Sequence, residues 1–183
     1  AQAAIGAGFK AVLFTDIRSS DDVESCYQSI RPDNPADQGL MGIKLRRPAF
    51  GSYGHDAYLA DLESILFLVM IEKTVAVDNL DIVLEKAKAR GVDMTQWGPA
   101  DFGFSRGQPD LMDTDEIKPF EELVIRKSID YGVAPRIEIS SVDQAQRYVD
   151  LGVRHFCVGW DRFILQSALA NIGEGMQKLL SSL

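Results

Sequence analysis

A parallel α/β architecture, barrel or doubly wound, is what this sequence predicts, and three observations carry it. Five apolar, β-rich runs, marked by Val12, Val69, Met94, Ile137 and Phe156, alternate with helical patterns; such alternation specifies a parallel sheet with right-handed crossovers. The segments RGVDM, YGVAPRI and LGVRHF repeat one device, in which glycine ends a helix and the chain turns at once into the sheet. ILFLVMIE is almost continuously hydrophobic, as a strand buried on both faces requires. Five strands cannot by themselves close an eight-stranded barrel.

In chain order, AVLFTDI (11–17) reads as the first strand, and Ser20 as the cap of a helix from Asp21 to about Ile30 with acids in its first turn. Residues 31–54 hold three of the seven prolines and several glycines, a density that predicts a long loop, which in a compact domain is commonly a lid or binding segment. A helical stretch at 57–64 leads into ILFLVMIE. Asp78 or Asn79 then opens a helix whose apolar stripe is Leu80, Val83, Leu84 and Ala87, closed by Gly91. VDMTQWGPAD follows, then a glycine and proline loop through Pro109 and a helix from Pro119 to about Tyr131. APRIEIS is the next strand, Val142 to Leu151 a helix, HFCVG the last strand, and Asp161 opens a C-terminal helical region. No composition break divides the chain, so the expectation is one domain over residues 1–183.

Composition bounds the function. With 183 residues, 46% hydrophobic and 25% charged, the chain can bury a sizeable core. A formal charge of −8 and a pI near 4.7 repel nucleic-acid backbones and anionic membranes. No run approaches the ~18 apolar residues of a membrane span. Cys26 and Cys157 lie far apart, outside any metal-ligand spacing, and read as buried free thiols of a cytoplasmic protein.

The chemistry concentrates where two strand runs end in acids, Glu72 and Asp101. Loop ends above a parallel sheet are where such folds place their sites, and paired carboxylates there would repel unless a hard divalent cation joined them. The same residues admit another reading, with Glu72 paired to Lys73 and Asp101 capping a turn or helix after Pro99. GPAD, residues 98 to 101, is either a backbone cradle for an anion or simply a rigid turn. Arg46 and Arg47 could clamp a carboxylate or form a solvated or subunit-facing pair. His55 follows the glycine-rich loop and His155 opens a strand; both read as structural or surface residues. Neither a phosphate-binding glycine motif nor a zinc-protease motif is present.

MIEKTVAVDNLD and GPADFGFSRG, in that order and separation, together with AIGAGFKAVLF, RPDNP...GLMGIKLRRPAFGSYG and DLGVRHFCVGWDRFIL, resemble the HpcH/HpaI class II pyruvate aldolases over essentially the whole chain. The resemblance implies a (β/α)8 barrel, of which about five βα units are present here. It implies that Glu72 and Asp101 bind a divalent metal (magnesium, manganese or cobalt) that chelates a 2-oxo acid. It further implies that Gly98, Pro99 and Ala100 contact the pyruvate carboxylate and that Ile17 and Glu138 shape the aldehyde pocket. Members are typically apolar at the position of Glu138, so a hydroxylated or cationic aldehyde is conceivable here. Assembly as a hexamer, a trimer of dimers exchanging C-terminal helices, is also implied.

The departures from that pattern are as informative. Family members carry three earlier strands with a catalytic His-Asp pair and a pyruvate-binding Arg, and this chain begins after them. Neither His55 nor His155 matches the catalytic base, and Gly103 and Arg106 differ from the commoner family loop. The expected activity is cleavage of a 4-hydroxy-2-oxo acid to pyruvate and an aldehyde. The alternatives are a non-catalytic barrel remnant that binds metal or supports assembly, and a citramalyl- or malyl-type acyl-CoA lyase, for which no basic patch for the CoA phosphate is seen.

Overall fold

The computed structural model describes residues 1–42 and 55–183. The basic pair Arg46 and Arg47 lies outside the described residues, as does the side chain of His55.

All five strand signals form strands: β1 (Ala11–Phe14), β2 (Leu66–Ile71), β3 (Met94–Trp97), β4 (Ala134–Ile139) and β5 (His155–Val158). They pair in parallel in the order β1-β2-β3-β4-β5. That order has no reversal, so the sheet winds one way, as a barrel wall does, and the doubly wound alternative drops out. The helices are α1 (Gln2–Gly6), α2 (Ser20–Ile30), α3 (His55–Glu63), α4 (Thr74–Asp78), α5 (Leu80–Ala89), α6 (Pro99–Ser105), α7 (Lys118–Tyr131), α8 (Ala145–Asp150) and α9 (Asp161–Leu180).

The core lies between the sheet and α2, α5 and α7. Phe67, Val69 and Ile71 of β2 are fully buried, and Val83, Leu84 and Ala87 of the predicted α5 stripe are buried with them, as is Ile125 of α7. Each of these side chains other than Ala87 stabilises the fold by roughly 1.5–3 kcal/mol relative to exposure. Gly132 stands at φ 78, the left-handed position that closes α7 and sends Val133 into β4. Thr95 on β3 satisfies its hydroxyl inside this layer through Ser128 of α7, 2.8 Å away.

Several expectations are corrected in detail. β1 ends at Phe14 rather than Ile17, because Asp16 adopts a left-handed conformation, φ 63, that no strand continues through. Ser19, not Ser20, caps α2: its hydroxyl and the Asp22 side chain satisfy each other's backbone N–H groups. Asn79 opens α5 as expected, and what the sequence did not announce is the short helix α4 immediately before it. The expected loop between Asp101 and Pro109 is helix α6 as far as Ser105, since Pro99 occupies the helix's first position, where a missing N–H costs nothing. Residues 142–151 hold a short 3-10 turn and then α8, not one continuous helix. Both cysteines are free and half-buried, and burial pushes the Cys26 thiol up to about 11.

The C-terminal helix α9 begins where expected but has no buried residue, and Ile164, Leu165, Leu169 and Ile172 are each at least 60% exposed. No described helix is long and apolar enough to cross a membrane.

Candidate active site

A cavity of about 1240 Å³ opens at the C-terminal ends of the strands. Alternation along the strands brings Met70 of β2 with Glu72 just beyond it, Gln96 of β3 with Gly98 just beyond it, and Arg136 and Glu138 of β4 to one face, and all six line the cavity, which Trp97, Ile137 and Ile139 also border. The start of α9 contributes Phe163 and Ile164 to the far side.

Glu72 is the centre of the acidic end. It is only 4% exposed, and its Oε1 accepts the Asp16 N–H at 2.6 Å. Burial raises its carboxyl above the ordinary range; the Asp16 N–H and the Lys73 ammonium act in the opposite direction. Gly98 is required beside it: a Cβ there would stand 2.7 Å from Glu72 Cβ and 2.9 Å from Glu72 Oε2. The close approach of β2 and β3 at this point therefore depends on having no side chain at position 98.

Lys73 ties the cluster together. Its Nζ lies 2.8 Å from Asp16 Oδ1 and 3.1 Å from Asp101 Oδ1, and its side chain is 9% exposed. The hydrogen bond to Asp16, with help from Asp101, raises its pKa, so the group remains an ammonium and a fixed cation rather than an amine nucleophile. The same hydrogen bond holds the Asp16 carboxyl below the usual carboxylate range. The suggested Glu72–Lys73 pairing is thus replaced by two Asp–Lys73 pairs, and Asp101 sits in the first turn of α6, largely exposed.

The donor set fits a divalent cation. With Glu72 ionised, the carboxylates of Asp16, Glu72 and Asp101 set against one ammonium leave two negative charges. Among the described residues no three His, Cys, Asp or Glu side chains converge closely enough to hold a metal by themselves. Magnesium and manganese sites built from one or two carboxylates, completed by water and substrate, need no third protein acid.

Of the residues singled out in the sequence, Glu72, Gly98, Pro99, Ala100, Asp101 and Glu138 line this one cavity. Ile17 does not: it follows the left-handed turn at Asp16 and is 1% exposed in the hydrophobic core. His155 is exposed on β5. Four lining or supporting residues escaped sequence reasoning: Asp16, Lys73 as a bridge, Gln96 and Arg136. Asp16 carried a usable signal, since it too follows the end of a strand.

Comparison with known proteins bears on the fold. No family model matches the chain. It is 28% identical over 163 residues to a 2-keto-3-deoxy-L-rhamnonate aldolase of Shigella dysenteriae serotype 1, a match covering 88% of this chain and 59% of that protein. The chain spans about three fifths of the length of the curated relatives it matches. In fold it is similar to an HpcH/HpaI aldolase/citrate lyase family protein from Burkholderia cenocepacia J2315, with TM-score 0.81 and 23% identity over 96% of this chain and 68% of the other. It is likewise similar to an HpcH/HpaI aldolase from Desulfitobacterium hafniense DCB-2, with TM-score 0.78 and 17% identity over 96% and 67%. The five-stranded sheet is accordingly a partial (β/α) barrel.

Proposed function

We propose, from the premise that this chain is a relative of the HpcH/HpaI aldolases, that it carries the metal-binding part of a carbon-carbon lyase cleaving a 4-hydroxy-2-oxo acid to pyruvate and an aldehyde. The observation that supports this best is the buried Glu72 carboxylate set against Gly98, with Asp101 in the first turn of α6 after the next strand, all on one cavity. Glu72 and Asp101 would hold magnesium or manganese, which supplies Lewis-acid stabilisation of the enolate left when the carbon-carbon bond breaks. The chain's own residues bind and orient. Gly98 donates its N–H to Ile71 O, and Pro99 has none, so the first-turn amides of α6 left for a substrate carboxylate are those of Ala100 and Asp101. Lys73 holds Asp16 and Asp101 in place through its two ion pairs. Phe163 and Ile164 of α9 line the far side of the cavity with apolar surface.

The test is manganese-dependent release of pyruvate from a series of 4-hydroxy-2-oxo acids, read by a coupled lactate dehydrogenase assay, on the full-length gene product and on this chain. Activity of the former with manganese is expected; inactivity of the full-length protein across the series overturns the reading. Manganese binding without turnover by the full-length protein would favour the non-catalytic module. We propose a single barrel domain and assembly into a hexamer by exchange of α9, which the absence of any buried residue in that helix supports. Light scattering tests the assembly, and a monomer would refute it.

A further inference from the structure

Lys73 occupies the N-cap position of α4, where its ammonium has no acceptor to offer the amide hydrogens that open a helix, and no side chain at that position caps it. The cap comes from another helix. The Thr74 N–H donates to Ser105 Oγ at 2.9 Å, and the two hydroxyl oxygens lie 2.8 Å apart. Because the Ser105 hydroxyl donates to Phe102 O at 2.9 Å, it meets Thr74 as an acceptor, and the Thr74 hydroxyl supplies the proton between them. Ser105 thereby accepts twice from α4 and donates once within α6.

The position of this contact matters more than its strength. Thr74 stands two residues beyond Glu72, and Ser105 stands four beyond Asp101, one turn along α6 and on the same face. That face of α6 therefore meets the segment after β2 twice, once through Asp101 on Lys73 at 3.1 Å and once through Ser105 on Thr74. Phe102, fully buried against Trp97 and Phe120 at centroid distances of 4.8 and 5.0 Å, anchors α6 to the core. One buried ring leaves a short helix able to roll, and contacts spaced along a face remove that freedom. The Lys73 contact engages the Asp101 carboxylate itself, for which a bound cation competes. The Thr74–Ser105 contact uses no carboxylate, so it persists whatever the acids hold. We propose that Ser105 is a positioning residue: by capping α4 from α6 it fixes the separation of Glu72 and Asp101 without help from Lys73. The inference rests on the reading of that pair as a divalent-cation site for its consequence in binding.

Manganese titration, and amide hydrogen exchange of the metal-free protein, test it on wild type, Ser105→Ala, Thr74→Val and Thr74→Ser. Ser105→Ala should weaken manganese binding about tenfold, the low end for losing a group that orients a metal ligand. Thr74→Val, which keeps its N–H on Ser105, should weaken binding less, and Thr74→Ser should match wild type. The thermal midpoint should hardly move in any of them, because water replaces an exposed hydrogen bond at little cost. In the metal-free protein, Ser105→Ala on α6 should loosen the amides of α4, and Thr74→Val on α4 should loosen the Phe102 amide, which closes the first turn of α6 on Gly98 O. Loss of protection confined to the helix that carries each substitution overturns the assignment. So does full affinity in Ser105→Ala beside a wild type that binds manganese. Failure of the metal site itself shows separately, as wild-type binding that is absent or unchanged by Glu72→Gln, and the exchange pattern then decides the role of Ser105 alone.

Discussion

The two faces of the sheet are built to opposite rules. The outer face, with Phe67, Val69, Ile71 and Ile137 against α2, α5 and α7, is apolar, and the Thr95 hydroxyl within it is satisfied by Ser128. The inner face carries Glu72, Gln96, Arg136 and Glu138, with the Gln96 Oε1 buried and without a hydrogen-bond partner. One face holds the fold together, and the other tolerates groups that the fold alone does not satisfy. Separation of this kind lets the inner face change its chemistry while the outer face keeps the strands in register.

Substitutions on the two faces should therefore have separable effects. The largest is expected at Phe67, which is fully buried and meets Phe14 edge-on with ring centroids 5.6 Å apart. Phe67→Ala should cost about 3–5 kcal/mol in urea unfolding, while the protein that remains folded keeps its manganese affinity. Lost affinity at full stability would break the division of labour. On the inner face, Glu72→Gln or Asp101→Asn should lower manganese affinity about a hundredfold in calorimetry, a large effect of the kind that loss of a ligand or its support produces. The thermal midpoint should hardly move, since Glu72→Gln also removes a buried charge. Undiminished affinity in both variants would sink the metal assignment.

Lys73 sharpens the contrast within the inner face. Its ammonium sits between Asp16 and Asp101 and partly neutralises the charge that attracts a metal. Lys73→Met should raise manganese affinity about tenfold, the order expected for removing one nearby positive charge at partial exposure. A fall instead would mean that Lys73 serves chiefly to aim Asp101, and the cluster would then be a built support rather than a competing cation.

What was legible in the sequence follows the same division. The outer face was readable because burial imposes runs and stripes: Val69 within ILFLVMIE, and Leu80, Val83, Leu84 and Ala87 at helical spacing, all end up where the pattern put them. Glu72, Gly98 and Asp101 were readable because strand ends above a parallel sheet share one edge. The Asp16–Lys73–Asp101 bridge was not, because it needs the pairing of β1 with β2 and a left-handed turn at Asp16 that sequence does not announce. Gln96 and Arg136 were hidden for another reason. Alternation within a strand says that two faces exist, and only the register of β3 on β4 says that these residues share one cavity. Helix α6 was mistaken for loop because proline and glycine signal turns equally well when proline in fact opens a helix.

The smallest effect is expected in the helical layer that backs the outer face, where Arg90 at the end of α5 grips Glu24 of α2 with two hydrogen bonds of 2.7 and 2.6 Å. The Arg90 hydrogen bond holds the Glu24 carboxyl below the usual range, against the opposing pull of burial. A carboxyl depressed in the folded state contributes stability above its unfolded pKa of about 4.3, and that stability is lost as pH falls through the lower folded value. Glu24 is 23% exposed and solvent screens the pair, so its contribution at neutral pH should be about 1 kcal/mol or less. Arg90→Met should therefore be less stable than wild type at pH 7, and the two unfolding curves should converge as the pH drops below 4. A difference that persists in acid would show that Arg90 acts by packing over Tyr27, where its guanidinium lies 4.7 Å from the ring centroid, rather than by charge.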